Sequence, residues 1–157
     1  MKTAAVLTVS DSSFQGSRAD LSGPAVVRLL REAGFEVVRT GIVPDERGTI
    51  QSQLLECCRQ ARLVVTVGGT GIAPRDVTPE ATLAVAERVI AGIAEKMRSE
   101  GAKKTPLAAL SRGICGTKGN SLLLNLPGSP AAATESLDAV LAILPHALDL
   151  LEGNTAH

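Results

Sequence analysis

The sequence predicts a single α/β domain of three layers (α/β/α), in which a mainly parallel sheet lies between two layers of helices. Short, apolar, β-branched runs alternate along the chain with amphipathic segments of helical length, a pattern typical of parallel sheets. The 157 residues are enough for a substantial core, and no repeat, linker or low-complexity segment divides them. We therefore expect one domain over residues 1–157.

The first half of the chain predicts two strand–helix units. In order they are a strand at 4–9, a helix beginning at Gly23-Pro24, a strand at 35–43, and a helix with apolar residues at helical spacing between Ile50 and Ala61. Gly34 stands where the C-terminal cap of the first helix belongs. Polar residues end both strands, at Ser10-Asp11 and at Asp45-Glu46.

The central segment begins with Leu63–Val67, an apolar run that reads as a strand buried on both faces. Residues 68–71, Gly-Gly-Thr-Gly, let the backbone turn sharply and approach a bound anion. Thr78-Pro79-Glu80 then predicts a helix start, with a hydroxyl as the N-cap, proline in the first turn and an acid behind it. Arg75 and Asp76 lie between the loop and the helix. This combination is typical of a site that handles phosphate.

The second half predicts helices followed by a hairpin and a last helix. In order these are helices at 79–91 and 92–101, a helical turn at 107–110, strands at 114–116 and 121–126, and a long apolar helix at 131–151 with an irregularity near Pro145. The polar run from Asn125 to Ser129 ends the last strand.

Polar residues thus follow four predicted strands, and the carboxyl ends of parallel strands lie along one edge, where ligands bind. Asp45 and Asp76 would meet there and could hold Mg²⁺ together with phosphate oxygens. Arg75, Arg112 and Lys118 could offset phosphate charge. Each aspartate also has a structural interpretation as an N-cap or turn residue, and each lone cation as part of a solvated face.

Composition excludes several classes of function. Sixteen basic residues balance sixteen acidic ones, so no net field attracts nucleic acid or an anionic membrane. Two Phe and no Tyr or Trp argue against base stacking. No apolar stretch approaches the roughly 20 residues of a membrane span. Three cysteines give neither a disulfide framework nor a zinc motif. A strand pattern that begins at Thr3 leaves no room for a signal peptide, and we expect a cytoplasmic protein.

General nucleotide motifs are broken. Pro74 replaces the third glycine of a dinucleotide-binding fingerprint, and no Gly-Lys pair exists for a P-loop. Specific runs remain along most of the chain: Thr8-Val9-Ser10-Asp11, Ser22-Gly23-Pro24, Val43-Pro44-Asp45, residues 68–71 with 75–81, Lys104-Thr105-Pro106 with 110–113, and residues 125–130. With these runs the sequence resembles the MogA/MoaB family, the molybdopterin adenylyltransferases of molybdenum-cofactor biosynthesis.

The resemblance implies a molybdopterin-binding fold, ATP and molybdopterin as substrates, and Mg²⁺. It implies catalysis by Asp45 and Asp76. The residues expected to bind substrate are Ser10, Asp11, Gly68, Gly69, Thr70, Gly71, Arg75, Thr78, Pro79, Glu80, Ser111, Arg112, Asn125, Pro127, Gly128 and Ser129. It also implies a homo-oligomer, a trimer or a hexamer, and a hand-off of the product to a molybdenum-insertion enzyme.

Three alternatives stay open. The first is a family member that binds molybdopterin without adenylylating it. The second is the molybdenum-insertion enzyme, which shares the glycine and Pro-Gly-x-Pro signatures but is a longer chain. The third is a structural or regulatory oligomer with a vestigial pocket.

Overall fold

The computed structural model describes residues 2–155, so the predicted domain of 1–157 extends beyond the described residues by Met1, Ala156 and His157. The strands are β1 (Thr3–Val9), β2 (Glu36–Val43), β3 (Leu63–Val67), β4 (Arg88–Val89), β5 (Cys115–Lys118) and β6 (Ser121–Leu126). The helices are α1 (Asp11–Phe14), α2 (Ser22–Glu32), α3 (Arg47–Gln60), α4 (Thr78–Val85), α5 (Ala91–Ala102), α6 (Pro130–Leu141) and α7 (Leu144–Leu151), with a 3₁₀ helix at Pro106–Leu110.

The six strands form one sheet in the order β2-β1-β3-β6-β5-β4. The first four strands of that order run parallel, whereas β5 is antiparallel to β6 and β4 is antiparallel to β5. The predicted mainly parallel sheet and the predicted hairpin are therefore both confirmed.

Helices cover both faces of the sheet. Helices α2, α5, α6 and α7 pack on one face through residues such as Leu30, Met97 and Leu137. Helices α3 and α4 pack on the other through residues such as Leu54 and Ala81. Each face of β3 joins one of these clusters, and all five of its residues are buried. This explains its unbroken apolar sequence.

The helix predicted at 79–91 is wrong in its length. Helix α4 ends at Val85, and Ala86 adopts an extended conformation. Beyond it, the N–H of Glu87 donates to the Thr117 carbonyl and the N–H of Ile90 donates to the Cys115 carbonyl. Pairing with β5 therefore outweighs the helix propensity of this segment and adds β4 to the sheet.

The long helix predicted at 131–151 is two helices. Helix α6 ends at Leu141 and α7 begins at Leu144, with Pro145 in its first turn. Proline has no N–H to donate and fits best at a helix start, so it divides the segment where an irregularity was expected. None of the helices within residues 2–155 combines the length and apolar character needed to cross a bilayer.

Candidate functional site

The candidate site lies at the edge of the sheet where β1, β2, β3 and β6 end. Asp45 follows β2, and the N–H of Gly68, directly after β3, donates to the Leu126 carbonyl at the end of β6. The predicted gathering of polar strand ends is therefore present.

Two glycines shape the loop after β3. Gly68 has φ +105° and Gly69 has φ +68°, conformations that side chains disfavour. A Cβ on Gly68 would overlap the Val9 carbonyl oxygen. A Cβ on Gly69 would overlap the Thr78 hydroxyl and lie 3.1 Å from Oδ1 of Asp45. The absence of side chains lets this loop pack against β1 and against Asp45.

Thr78 was predicted as the N-cap of α4, and that prediction is wrong. The N-cap is Val77, which has no side-chain capping bond, and Thr78 is the first helical residue. Its buried hydroxyl donates to the Gly68 carbonyl at 2.9 Å, and its N–H donates to the Gly69 carbonyl at 3.1 Å. Thr78 therefore fastens the glycine loop to the start of α4 instead of capping the helix.

Asp11 and Asp45 exchange hydrogen bonds. The N–H of Asp11 donates to Oδ2 of Asp45 at 2.9 Å, and the N–H of Asp45 donates to Oδ1 of Asp11 at 2.9 Å. Burial raises the pKa of Asp45, and the negative charges of Asp11 and Asp76 raise it further. The Asp11 N–H and the Arg75 charge oppose that rise. Asp45 and Asp76 are thus close enough for their charges to interact.

The two arginines expected to offset phosphate charge are both paired with acids. Arg75 donates to Asp11, from Nε to Oδ2 at 2.6 Å and from Nη2 to Oδ1 at 3.0 Å. Nη1 of Arg112 donates to both carboxylate oxygens of Glu80 at 2.8 Å. Hydrogen bonding to Arg75 lowers the pKa of Asp11, and hydrogen bonding to Arg112 lowers the pKa of Glu80.

Arg112 also binds the glycine loop. Its Nε donates to the Gly71 carbonyl at 2.8 Å, its Nη2 donates to the Asp76 carbonyl at 2.9 Å, and its N–H donates to the Thr70 carbonyl at 2.7 Å. Lys118 pairs with Ser121, the first residue of β6, and so lies at the opposite edge of the sheet. Of the three cations expected to offset phosphate charge, Arg75 and Arg112 are therefore paired with acids near the glycine loop, and Lys118 lies away from the site.

Asn125 lies inside β6, not after it, and is 1% exposed. Its Nδ2 donates to the hydroxyls of Thr66 and Thr82, both at 2.9 Å, and its Oδ1 accepts from the Ile114 N–H at 3.1 Å. These bonds join β6 to β3, α4 and the segment before β5. The side chain is thus held by three hydrogen bonds at the floor of the site.

Two cavities open beside the glycine loop. The larger, of about 510 Å³, extends from the loop to α5 and the 3₁₀ helix, where Met97, Leu107 and Leu110 give it an apolar wall. The smaller, of about 340 Å³, lies at the ends of β1 and β2 and is lined by polar groups that include Asp45 and Arg18. Both cavities are lined by Gly69, Asp76, Gly128 and Ser129. We call these four residues the shared wall.

The family model described as a probable molybdopterin binding domain matches residues 5–146. The chain belongs to this family. The resemblance to MogA and MoaB is therefore confirmed, and the cavities described above are those of a molybdopterin-binding family member.

Relatives of known identity agree with that membership. A molybdopterin adenylyltransferase of Helicobacter pylori is 42% identical over 95% of this chain and 87% of its own length. The molybdenum cofactor synthesis protein cinnamon of Drosophila melanogaster is 44% identical over 95% of this chain, which spans only 25% of that longer protein. The crystal structure of the molybdopterin biosynthesis enzyme MoaB of Thermus thermophilus superposes with a TM-score of 0.92 at 49% identity, covering 98% of each chain.

Most of the residues predicted for the site line one of the two cavities of this family member. The predicted residues that line the larger cavity are Gly69, Thr70, Gly71, Asp76, Ser111, Asn125, Pro127, Gly128 and Ser129. Those that line the smaller cavity are Ser10, Asp45, Gly68, Gly69, Asp76, Gly128 and Ser129. Six predicted residues line neither cavity: Asp11, Arg75, Thr78, Pro79, Glu80 and Arg112.

The prediction missed several lining residues. Ser22 lines the smaller cavity, and its hydroxyl donates to the Gly128 carbonyl at 2.6 Å. It lies in one of the runs that carried the resemblance, so a signal was available. Met97 and Leu107 gave none, because an apolar residue on a predicted helix is indistinguishable by sequence from a core residue.

Proposed function

We propose that this protein is a molybdopterin adenylyltransferase, which transfers the adenylyl group of ATP to molybdopterin and releases pyrophosphate. One observation carries the proposal: two cavities of different polarity meet at the shared wall, with Asp76 in both and Asp45 in the smaller. A reaction between two bound substrates needs such an arrangement. The Helicobacter pylori relative, covered over 87% of its length, carries the name of this activity.

The chemistry joins two polyanions. The terminal phosphate oxygen of molybdopterin forms a bond to the α-phosphorus of ATP, and the bond from that phosphorus to the pyrophosphate oxygen breaks. The barrier consists of alignment and charge repulsion. Two adjoining cavities supply alignment by holding both reactants in one cleft. N–H groups of the glycine loop at residues 69–71, which line the larger cavity, would lie against phosphate oxygens. No protein nucleophile is required.

The donor set fits Mg²⁺ brought in with ATP. Within residues 2–155 no group of three or more metal-binding side chains occurs, but Mg²⁺ typically uses one or two carboxylates and completes its shell with phosphate and water. Asp45 and Asp76 would be those carboxylates. The ion would neutralise charge on the phosphates. The protein's own part is to hold Asp76 at the shared wall and Asp45 in the adjoining smaller cavity.

We also propose that the protein acts in the cytoplasm as a homo-oligomer, a trimer or a hexamer, and passes its product to a molybdenum-insertion enzyme. Exposed apolar side chains on the edge strand β2, Val38 (42%) and Ile42 (39%), support self-association, because an open strand edge tends to be covered. Light scattering after gel filtration measures the assembly. A monomer across the working concentration range contradicts this part of the proposal.

The activity is tested by pyrophosphate release from Mg-ATP with and without molybdopterin. We expect release that depends on molybdopterin, and a loss of roughly 100-fold or more in Asp45→Ala and Asp76→Ala, as for removal of an electrostatic or aligning group. Asp138→Ala removes an exposed carboxylate on α6 and is the control. Binding of molybdopterin should persist in every variant.

Two outcomes contradict parts of the proposal, one the activity and the other the residue roles. Tight binding of molybdopterin by the wild type without any pyrophosphate release favours the alternative, a family member that binds but does not adenylylate. Wild-type rates in both aspartate variants leave the activity standing but remove the roles of Asp45 and Asp76, which are then turn residues.

A further inference from the structure

We propose that Arg75 and Asp11 form a clamp outside the two cavities, which fixes the Asp45 and Asp76 carboxylates relative to each other. In this inference Arg75 is a positioning residue and not a ligand of substrate phosphate. It deepens the proposed function, on which it rests, by assigning a role to two residues that line neither cavity.

The first part of the clamp is a two-point contact. Nε and Nη2 of Arg75 donate to the two different carboxylate oxygens of Asp11, at 2.6 and 3.0 Å. Such a fork fixes the relative orientation of both groups, because the guanidinium and the carboxylate are planar and meet in one arrangement. A guanidinium held in this way has two of its donors engaged by Asp11.

The second part carries the constraint from Asp11 to Asp45. The same Oδ1 of Asp11 that accepts from Arg75 also accepts from the Asp45 N–H, at 2.9 Å. In return, the Asp11 N–H donates to Oδ2 of Asp45 at 2.9 Å. The Asp45 carboxylate is therefore held by the backbone N–H of Asp11, and the side chain of Asp11 is held by Arg75. Ser10 supports this segment, since its Oγ accepts from the Ser13 N–H at 3.2 Å.

The third part extends the clamp to Asp76. Arg75 directly precedes Asp76, and Oδ2 of Asp76 accepts from the Ala73 N–H at 3.0 Å, which closes the turn that carries both residues. By gripping Asp11, Arg75 thus ties this turn to the ends of β1 and β2. The tie opposes repulsion, because Asp11 and Asp76 both act on Asp45 with like charge. In this inference, loss of the clamp lets the turn that carries Asp76 shift relative to Asp45.

Steady-state kinetics distinguishes the clamp from a phosphate ligand. We expect Arg75→Ala to lower kcat roughly 10- to 100-fold, the scale of a small misplacement of catalytic groups, while KM for ATP changes less than about twofold. Asp11→Asn should behave alike, and the double variant should be little worse than either single one, since both remove the same contact. Arg75→Lys keeps the charge but not the fork and should restore only part of kcat.

The matched control is Arg59→Ala, which removes another exposed arginine near a carboxylate, Glu56, on α3. It should leave kcat and KM unchanged. A rise of roughly tenfold or more in KM for ATP with kcat preserved in Arg75→Ala overturns the clamp and makes Arg75 a phosphate ligand. Fully additive losses in the double variant also overturn it.

Amide hydrogen exchange tests the clamp without any turnover. In Arg75→Ala, the amides of Asp11 and Asp45 should exchange roughly tenfold or more faster, whereas amides of β3 should not change. Unchanged exchange at both aspartates overturns the inference, whether or not the protein is active. If the wild type releases no pyrophosphate while exchange rises as expected, the proposed function fails and the clamp stands as a structural device.

Discussion

Gly69→Ala is the sharpest test of the glycine loop, because Gly119 provides a matched position. Gly69 has φ +68° and Gly119 has φ +57°, so alanine meets nearly the same backbone penalty at both, about 1–2 kcal/mol. Around Gly119 a Cβ would meet nothing within 4 Å. At Gly69 it would overlap the Thr78 hydroxyl and approach Oδ1 of Asp45 to 3.1 Å.

The difference between the two variants isolates the steric cost. Moving the buried Thr78 hydroxyl breaks its 2.9 Å bond to the Gly68 carbonyl, which costs about 1–3 kcal/mol. Overpacking of the loop adds about 1–3 kcal/mol. We expect Gly69→Ala to be about 2–6 kcal/mol less stable than Gly119→Ala, which corresponds to a further drop in Tm of about 4–24 °C.

The measurement is urea unfolding of the wild type and both variants at one protein concentration, followed by thermal unfolding. Pyrophosphate release should fall strongly in Gly69→Ala and stay near the wild-type rate in Gly119→Ala. Equal loss of stability in the two variants would refute the reasoning, because the backbone penalty alone would then account for both.

Three further predictions concern buried or paired polar groups. Since burial raises the pKa of Asp45, its ionised form costs stability above the folded-state pKa. Asp45→Asn should therefore raise Tm at pH 7 in metal-free buffer while lowering turnover by roughly 100-fold or more; a lower Tm contradicts this. Asn125→Leu removes three hydrogen bonds inside the fold and should cost about 2–4 kcal/mol in urea unfolding. A loss below about 1 kcal/mol would mean that its partners rearrange. Hydrogen bonding to Arg112 lowers the pKa of Glu80 in the folded protein. The pair therefore stabilises the fold above the pKa that Glu80 has in the unfolded chain, and this stabilisation is lost as pH falls through the pKa of Glu80 in the folded protein. Glu80→Gln should therefore be less stable than wild type at pH 7, with the gap closing below about pH 4.

The sheet and the gathering of strand ends were predictable because both depend on local pattern. Leu63–Val67 is apolar throughout, and its five residues are buried between two helical layers. The end of α4 was not predictable in this way. Nothing in the sequence around Ala86 marks a stop, and the helix ends because Glu87 and Ile90 pair with β5, a contact with residues about 25 positions or more later in the chain.

For the candidate site, the residues that line the cavities were easier to predict than the hydrogen bonds and ion pairs between its side chains. Motifs predicted Asp45, Asp76 and the glycine loop, which line the two cavities of the candidate site, because backbone geometry and strand ends have sequence signatures. The partners of the arginines have none. Arg75 and Asp11 are separated by 64 positions and Arg112 and Glu80 by 32. Only the folded sheet brings these pairs together, and a charge that suggests phosphate binding in the sequence is engaged with a carboxylate in the structure.

The shared wall also makes this protein suited to inhibition by linked fragments. The cavities of about 510 and 340 Å³ adjoin at four residues, two of which, Gly69 and Gly128, have no side chain. A short connector across this boundary could join a fragment that favours the apolar wall to one that favours the polar cavity. Binding of the second fragment then becomes intramolecular, and affinity can exceed that of either fragment by roughly 10²–10⁴.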